Sequence, residues 1–246
     1  MRNIILRIII YISVLMLFTT TYTFSQSSIV YQTGTIIEVQ TGASVCADTV
    51  IVSGTFTGGG TICGLLYTLN LTAYIEGFYN PVSNIMVSDT AKVYLRNASS
   101  PYALVDSTKS ILNSSGTGIF TFSNPINAVS YYIVIKHRNS IETWSSSGNA
   151  FTSNTLSYSF STANTQAYGN NMKQVDAAPL TYAVYSGDVN QDEFVNLTDI
   201  IEVYNSSANF ITGYVPTDVN GDNIVDLTDV VITYNNSSNF VSLIRP

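Results

Sequence analysis

The sequence contains DVNQDEFVNLTD at residues 188–199 and, beginning 30 residues later, DVNGDNIVDLTD at residues 218–229. The two strings agree at both ends and at most positions between. A stretch repeated at this length and spacing indicates one duplicated structural unit. Everything the sequence says about chemistry is concentrated in this repeat.

Both strings place oxygen-bearing side chains at positions 1, 3, 5, 9 and 12 of a twelve-residue loop. A loop with this spacing can surround a hard cation such as calcium, and the backbone carbonyl of position 7 adds a further oxygen. The candidate ligands of the first loop are Asp188, Asn190, Asp192, the carbonyl of Phe194, Asn196 and Asp199. Those of the second loop are Asp218, Asn220, Asp222, the carbonyl of Ile224, Asp226 and Asp229.

Apolar residues after each loop recur at i, i+3, i+4 and i+7. This spacing predicts an amphipathic helix directly after each loop. Position 8 is a valine in both loops, Val195 and Val225, so we expect the loops to lie side by side and to pair there. The apolar residues are Leu197, Ile200, Ile201 and Tyr204 in the first copy and Leu227, Val230, Val231 and Tyr234 in the second.

The paired loops, which end in Asp where an EF-hand has Glu and which each precede a helix, resemble the dockerin family. The resemblance covers about 60 residues, Gly187 to Pro246. It implies a small docking module that folds around two calcium ions at one end of a secreted protein, often one that degrades polysaccharides. In that family the partner is a cohesin β-sandwich, bound through the helices and loop positions 10 and 11. The corresponding residues are Leu197, Thr198, Leu227 and Thr228.

The two loops differ from each other at position 6, which needs a left-handed backbone. Glu193 stands there in the first loop and Asn223 in the second. Asn tolerates this conformation, whereas Glu costs about 1 kcal/mol. The first loop also has one ligating carboxylate fewer. We therefore expect the first loop to bind calcium more weakly than the second.

The N-terminus has the order of a secretory signal peptide over residues 1–25. Arg2 and Arg7 precede an apolar run over 8–18, and small and polar residues follow up to Ser25. The run is too short to span a bilayer, which takes about 20 residues. We expect an exported protein. Its net charge of −7 argues against nucleic acid as a partner, although nine of its sixteen acidic residues lie at 188–229.

Residues 26–65 read as short strands with Gly-rich turns, and they hold both cysteines of the chain, Cys46 and Cys63. In an exported protein we expect these two to form a disulfide. The alternative is a metal site, but two cysteines and one histidine do not complete a tetrahedral zinc site without carboxylates.

Residues 66–180 show regular strand signals separated by turns rich in Asn, Ser, Pro and Gly. The pattern predicts an antiparallel sandwich of about seven strands, similar to immunoglobulin-like or fibronectin-like modules. Asp176–Pro179 would be the linker into the calcium module at 181–246. The predicted fold class is therefore mainly β, with a small α-helical dockerin carrying two calcium loops at the C-terminus.

The sequence gives weak support for catalysis. His137, the only histidine, is flanked by Lys136 and Arg138 and is interpreted as a solvated residue at a strand end. The sandwich carboxylates Glu76, Asp106 and Glu142 have no spacing that brings two of them around a sugar, as glycoside hydrolysis requires.

The sequence therefore predicts a secreted, non-catalytic modular protein that docks through its calcium module to a cohesin-like partner or to its own sandwich, in an extracellular polysaccharide-degrading or cell-surface assembly. The alternative is a carbohydrate-binding module or an accessory subunit of a glycoside hydrolase. In that case sugars would stack on exposed rings, the candidates being Trp144, Tyr79, Tyr102 and Tyr132. The simpler interpretation of these rings is that they belong to the core or decorate the strands.

Overall fold

A computed structural model describes residues 28–53, 55–59 and 61–246. The signal peptide predicted at 1–25 lies outside the described residues. The described chain is mainly β, as the composition and strand pattern predict, with two short α-helices near the C-terminus. None of the described helices has both the length and the apolar character needed to cross a membrane.

The strands of the first 80 residues are β1 (Ser28–Tyr31), β2 (Ile36–Glu38), β3 (Ser44–Val52), β4 (Thr55–Thr57), β5 (Thr61–Leu65), β6 (Tyr67–Thr72) and β7 (Tyr79–Asn80). The following strands are β8 (Ile85–Met86), β9 (Asp89–Asn97), β10 (Leu104–Leu112), β11 (Thr117–Phe122), β12 (Ser130–Lys136), β13 (Thr143–Trp144), β14 (Asn149–Ala150), β15 (Thr155–Ser159), β16 (Lys173–Ala177) and β17 (Leu180–Ala183). The helices are α1 (Leu197–Ala208) and α2 (Leu227–Ser238), and short 3-10 turns lie at Glu76–Phe78, Asn164–Gln166 and Tyr168–Asn170.

Two sheets form the central sandwich. One has the strand order β10-β9-β12-β13, with β14 also pairing with β12, and the other has the order β11-β6-β15. Their facing side chains share one apolar core, to which Leu71 and Phe120 contribute from one sheet and Val93 and Ile133 from the other. The prediction of a wholly antiparallel sandwich is wrong in one respect, because β15 runs parallel to β6.

Residues 28–65 form a separate pair of parallel ladders. Strands β1, β3 and β5 pair in one, and β2 and β4 pair in the other. Successive strands lie alternately in the two ladders. The chain therefore forms a coil with one ladder on each side. The register sets Cys46 directly opposite Cys63, and the predicted disulfide joins them.

The segment predicted as a linker is instead part of the sandwich module. Asp176 lies in β16, which pairs antiparallel with β17 across the turn at Ala178 and Pro179. The next residue after β17, Val184, donates its N–H to the carbonyl of Tyr74 and accepts from the N–H of Glu76. The Pro-containing turn thus closes a hairpin, and the connection to the C-terminal part is short and hydrogen-bonded.

Both helices begin where the apolar spacing predicts. Asn196 caps α1 and Asp226 caps α2, each accepting a hydrogen bond from the backbone N–H two residues later. The side chain at the third helical position, Asp199 or Asp229, reaches back to the N–H of its capping residue. This reciprocal arrangement is a capping box, which satisfies N–H groups that a helix start otherwise leaves unpaired.

Candidate metal centre

The first predicted loop folds into a tight turn held by its own side chains. Asp188 Oδ1 and Asn190 Oδ1 both accept the N–H of Asp192, at 3.0 and 2.9 Å. Asp192 Oδ1 accepts the N–H of Phe194 at 3.1 Å. Residues 4 and 6 of the loop, Gln191 and Glu193, have φ of 61° and 77°. The left-handed backbone expected at position 6 is therefore present although neither residue is Gly.

The second loop folds in nearly the same way. Asn220 Oδ1 accepts the N–H of Asp222 at 2.9 Å, and Asp222 Oδ1 accepts the N–H of Ile224 at 2.8 Å. Its residues with positive φ are Gly221 and Asn223, at 77° and 67°. The two copies thus share one backbone geometry, in which the side chains of positions 3 and 5 are oriented by the same hydrogen bonds.

The aspartate at position 12 ties each loop to the helix that follows it. Asp199 Oδ1 accepts the N–H groups of Val189 and Asn190, and its Oδ2 accepts that of Asn196. Asp229 makes the three equivalent bonds in the second copy. Both carboxylates are fully buried. Each therefore links the start, the end and the capping residue of its loop.

The position-8 valines do not pair with each other, so this prediction is wrong. The N–H of Val195 donates to the carbonyl of Val241, and the N–H of Val225 donates to that of Ile211. Each loop thus pairs with the segment that follows the helix of the other copy. The exchange is symmetric, and it joins the two copies into one unit.

Two carboxylates of the first loop, Asp188 and Asp199, are buried, whereas Asp192 is exposed. Burial raises the pKa of Asp188 to about 7, and the negative charge of Asp199 adds to this effect. Burial likewise raises the pKa of Asp199 and, in the second loop, that of Asp229. Among the described side chains, none forms an ion pair with Asp188 or Asp199. A buried uncompensated carboxylate is unfavourable, and a bound cation would relieve it.

The candidate ligands lie together in sequence order around each loop, but in the described part of the chain no three His, Cys, Asp or Glu side chains are grouped so as to hold a metal ion. Two features explain why no such group forms. Each position-12 carboxylate accepts hydrogen bonds from backbone N–H groups. Some of the candidate ligand oxygens of each loop belong to Asn side chains or to the backbone. By the kind and spacing of their oxygen donors the loops fit a hard cation.

The second loop is fastened to the sandwich by Arg138. Its Nε donates to Asp89 Oδ2 at 3.1 Å, and its Nη1 donates to the carbonyls of Asp218, at 3.0 Å, and Val215. Nη2 lies 3.4 Å from Asp218 Oδ2. The guanidinium also lies over the ring of Tyr214, 4.3 Å from its centroid. Position 1 of the second loop therefore has the cationic partner that Asp188 lacks.

Further hydrogen bonds join the C-terminal part to the sandwich. Asn139 Nδ2 donates to the carbonyl of Asp218 at 2.7 Å, and Asn236 of α2 donates to Glu76 Oε2 at 2.5 Å and to the carbonyl of Ser186 at 2.8 Å. On the sandwich side, Glu76 is buried, and burial raises its pKa while the bonds from Asn236 and Ser186 oppose this. The loops and helices therefore rest on a polar, buried surface of the sandwich.

His137 is part of this surface, and its interpretation as a solvated strand-end residue is wrong. The side chain is buried, with Nδ1 3.0 Å from Asn139 Oδ1 and Nε2 3.0 Å from Asp89 Oδ2. Asp89 also accepts from the hydroxyl of Tyr214 at 2.8 Å. Burial raises the pKa of Asp89, but the hydrogen bond and charge of His137, with the bonds from Tyr214 and Thr90, hold it well below its usual range.

The apolar stripe of each helix faces outward. The predicted partner-binding residues Leu197, Thr198, Leu227 and Thr228 are all exposed. We define the docking face as Leu197, Ile201 and Tyr204 of α1 with Leu227, Val231 and Tyr234 of α2, whose exposure ranges from 47% to 68%. An amphipathic helix ordinarily buries this stripe. Here the inward positions are occupied by Asp199, Val203, Asp229 and Thr233.

The rings proposed for sugar stacking are not freely exposed. Trp144 and Tyr79 are buried, and Trp144 packs edge-on against Tyr102 and Tyr132. Trp144 Nε1 donates to Glu142 Oε1 at 2.9 Å. These rings therefore do not form the flat exposed platform that the carbohydrate-binding alternative needs.

No family model matches the chain, and no curated protein matches it either. Among solved structures it is similar to a chain of a C-terminal interface mutant of the type II cohesin–X–dockerin complex from Acetivibrio cellulolyticus, with 16% identity and a TM-score of 0.42 over 71% of this chain and 99% of that one. A second similar structure is an N-terminal interface mutant of the same kind of complex from Acetivibrio cellulolyticus, with 18% identity, a TM-score of 0.39, and coverage of 71% and 97%. Similarity of this size assigns neither a family nor a partner.

Proposed function

We propose that the chain is a secreted, non-catalytic docking protein whose C-terminal module folds around two calcium ions and binds a protein partner. The observation that carries the proposal is the docking face. The same three-residue apolar stripe is exposed on both helices of a duplicated unit. Exposed apolar surface that is contiguous and rimmed by polar residues is typical of a protein-binding site. None of the hydrogen bonds or ion pairs that join the described module to the sandwich involves a side chain of this face.

Calcium would act as a structural ligand of the module. In the first loop it would be held by Asp188, Asn190, Asp192, the carbonyl of Phe194, Asn196 and Asp199. In the second loop it would be held by Asp218, Asn220, Asp222, the carbonyl of Ile224, Asp226 and Asp229. The bound ion would neutralise the buried carboxylates, so its binding free energy would add to the stability of the folded module. Since both helices start from these loops, the docking face depends on them.

The partner we propose for this face is a cohesin-like domain, which the dockerin-like spacing of the loops favours. Contacts with the sandwich in cis use other residues, among them Asp218 and Asn236. The docking face therefore remains available for a partner in trans while the module rests on its own sandwich.

The absence of catalysis remains part of the proposal. Both ring nitrogens of His137 are engaged by Asn139 and Asp89. The three carboxylates considered for glycoside hydrolysis also accept hydrogen bonds. Glu76 accepts from Asn236, and Glu142 accepts from Trp144. Asp106 accepts from the N–H groups of Ser123 and Asn124. Each of these groups has a structural partner, which supports a structural role.

The test is retention of the mature chain on an immobilised cohesin, with an immobilised dockerin in a parallel channel. We expect retention on cohesin in 2 mM calcium and its loss in chelator. The variant Ile201→Asp/Val231→Asp, which places charges on the docking face, should abolish retention. Val82→Asp is the matched control, because Val82 is also an exposed valine but lies in a turn of the sandwich.

Three results would contradict the proposal. If Ile201→Asp/Val231→Asp is retained and its helix content is unchanged, the docking face is not the surface that binds the partner. Retention on dockerin instead of cohesin would make the sandwich the binding module. Failure to bind either would exclude these partner classes.

A further inference from the structure

The outer face of the five-stranded sheet carries an unusual share of the positive charge of the protein. Along β9, Ala91, Val93 and Leu95 point into the core, so the alternate residues Lys92, Tyr94 and Arg96 point outward. The chain has nine Lys and Arg residues, of which Arg2 and Arg7 lie near the N-terminus. Of the other seven, Lys92, Arg96, Lys109 and Lys136 lie on this face, and Arg138, Lys173 and Arg245 lie elsewhere.

Three of these cations form one row across neighbouring strands. The register sets Lys109 of β10 opposite Lys92 of β9, and Lys92 opposite Lys136 of β12. Neighbouring strands lie about 4.8 Å apart, so the row is about 10 Å long. Like charges directly opposite each other destabilise a sheet. Among the described side chains, none of the three forms an ion pair with a carboxylate, although Lys136 lies within electrostatic range of Asp188.

Arg96 adds a fourth cation further along β9. Four residues separate it from Lys92, which corresponds to about 14 Å along a strand. Its guanidinium lies 5.4 Å from the ring centroid of Trp144, and its Nη1 donates to the carbonyl of Tyr102 at 3.3 Å. Its Nε is buried and has no hydrogen-bond partner among the described residues.

One aromatic ring, that of Tyr94, lies between the lysine row and Arg96, and a second, that of Tyr132, lies beside Arg96. Tyr94 stands between Lys92, whose Nζ is 4.4 Å from its ring centroid, and Arg96, at 5.9 Å. Tyr132, opposite Arg96 on β12, is half-buried and contacts Tyr102. Half-buried rings offer an apolar surface beside the charges, and tyrosine hydroxyls add hydrogen-bonding groups.

We propose that this face, consisting of Lys92, Lys109, Lys136, Arg96 and Tyr94, binds an acidic polysaccharide. The charges cover an area of about 10 by 14 Å, which a single small anion does not span and an extended chain with repeated carboxylates does. The ring of Tyr94, between Lys92 and Arg96, would lie against a sugar between the charged groups. The net charge of −7 opposes every polyanion, but it opposes the closely spaced phosphates of a nucleic acid more strongly than the widely spaced carboxylates of a polysaccharide. This inference is independent of the calcium module.

The experiment measures binding of the full mature chain to hyaluronan, a carboxylated polysaccharide, with dextran as the neutral comparison and single-stranded DNA as the phosphate comparison. We expect binding to hyaluronan that weakens with added salt, and none to dextran. Lys109→Gln should weaken binding about threefold, and Lys92→Gln/Lys109→Gln about tenfold. Arg245→Gln is the matched control, because it removes one exposed positive charge outside this face and should leave binding unchanged.

Each other outcome overturns the proposal. Equal effects of Lys109→Gln and Arg245→Gln would show that any binding reflects overall charge. Equal binding to hyaluronan and dextran, or absence of binding at low salt, would exclude an acidic-polysaccharide site. Tighter binding to single-stranded DNA than to hyaluronan would assign the face to phosphate polyanions. Circular dichroism of the variants checks that they fold, because the lysines point away from the core.

Discussion

The two loops of the C-terminal module share a sequence pattern and a backbone geometry but have different surroundings. In the second loop Asp218 faces Arg138, and its backbone is hydrogen-bonded to Asn139. In the first loop Asp188 is buried without an ion pair among the described residues, and the nearby arginine, Arg245, reaches only the exposed Glu193. A duplicated motif therefore does not give two equal sites. The sandwich contacts both loops, through Ser140 and Ile141 at the first and through Arg138 and Asn139 at the second, but it supplies an ion pair only to the second.

The contact between Arg138 and Asp218 reduces the difference in calcium affinity that the sequence predicts between the two loops. The sequence favours the second loop, because it has one more carboxylate and has Asn223 in place of Glu193. Arg138 acts in the opposite direction, because its charge already compensates Asp218 and would compete with an ion there. The structure thus supplies a reason for the two loops to differ less in affinity than their ligand counts indicate.

The largest expected effect comes from removing the arginine that contacts each loop, which is Arg138 for the second loop and Arg245 for the first. Arg138→Met leaves Asp89 and Asp218 buried without their guanidinium, and breaking a buried pair in this way costs about 3–5 kcal/mol. Arg245→Met removes an exposed pair worth at most about 1 kcal/mol. Urea unfolding of both variants measures the difference. Equal losses of unfolding free energy would contradict the asymmetry between the loops.

A smaller effect is expected from exchanging the residues at loop position 4. A Cβ on Gly221 would lie 2.4 Å from the ring of Phe78, and φ there is 77°. Gly221→Gln should therefore destabilise the protein by about 2–4 kcal/mol through overpacking and backbone strain. Gln191→Gly, the reciprocal change, should alter stability by less than about 1 kcal/mol. Thermal unfolding reports both, and tolerance of Gly221→Gln would mean that the second loop does not pack on Phe78.

In chelator, lowering the pH should stabilise the first loop and destabilise the surroundings of Arg138 at the second loop. The folded-state pKa of Asp188 is raised to about 7, so this group destabilises the folded protein as pH rises from about 4 to 7. The pKa of Asp89 is lowered, so its contribution is present above about pH 4 and is lost as pH falls further. Hydrogen exchange should show greater protection of the first loop at pH 5 than at pH 8, and loss of protection around Arg138 below pH 4. Parallel changes in both loops would refute this account.

The smallest effect is expected at loop position 6. Glu193→Gly relieves a left-handed backbone that costs a non-Gly residue about 1 kcal/mol, so the first loop should become more stable by that amount. Asn223→Gly should gain less, because Asn tolerates this conformation. Differential scanning calorimetry of both variants makes the comparison. A larger gain at Asn223 would contradict the assignment of strain to Glu193.

The sequence was sufficient to predict local features. The apolar spacing predicted the helices that begin at Leu197 and Leu227, and the strand signals over 66–180 predicted a β-sandwich, because these patterns depend on residues close in the chain. The disulfide between Cys46 and Cys63 was predicted because the chain has only two cysteines. The polar strand β10, which reads LVDSTKSIL, was missed because only one of its faces is packed and its inward residues include Thr108 and Ser110.

Features that depend on distant residues could not be predicted in this way. The pairing of Val195 with Val241, the burial of His137 and the contact of Arg138 with Asp218 join positions 46 to 80 residues apart. Periodicity located the apolar stripe of each helix without saying what covers it, and the expectation that Leu197 and Leu227 face a partner came from the family resemblance. The run Lys136-His137-Arg138 reads as solvated, but the carboxylate of Asp89 pairs with the buried His137 and, together with Asp218, with Arg138.

The most direct test of the central claim is calcium titration calorimetry of the chelator-treated mature chain, combined with thermal unfolding of the C-terminal part. We predict two binding events and a rise in melting temperature with calcium. In Asp199→Ala/Asp229→Ala we predict neither binding nor the rise in melting temperature. Absence of heat and of stabilisation at millimolar calcium would contradict the central claim, and the repeat would then consist of two acidic turns that begin helices.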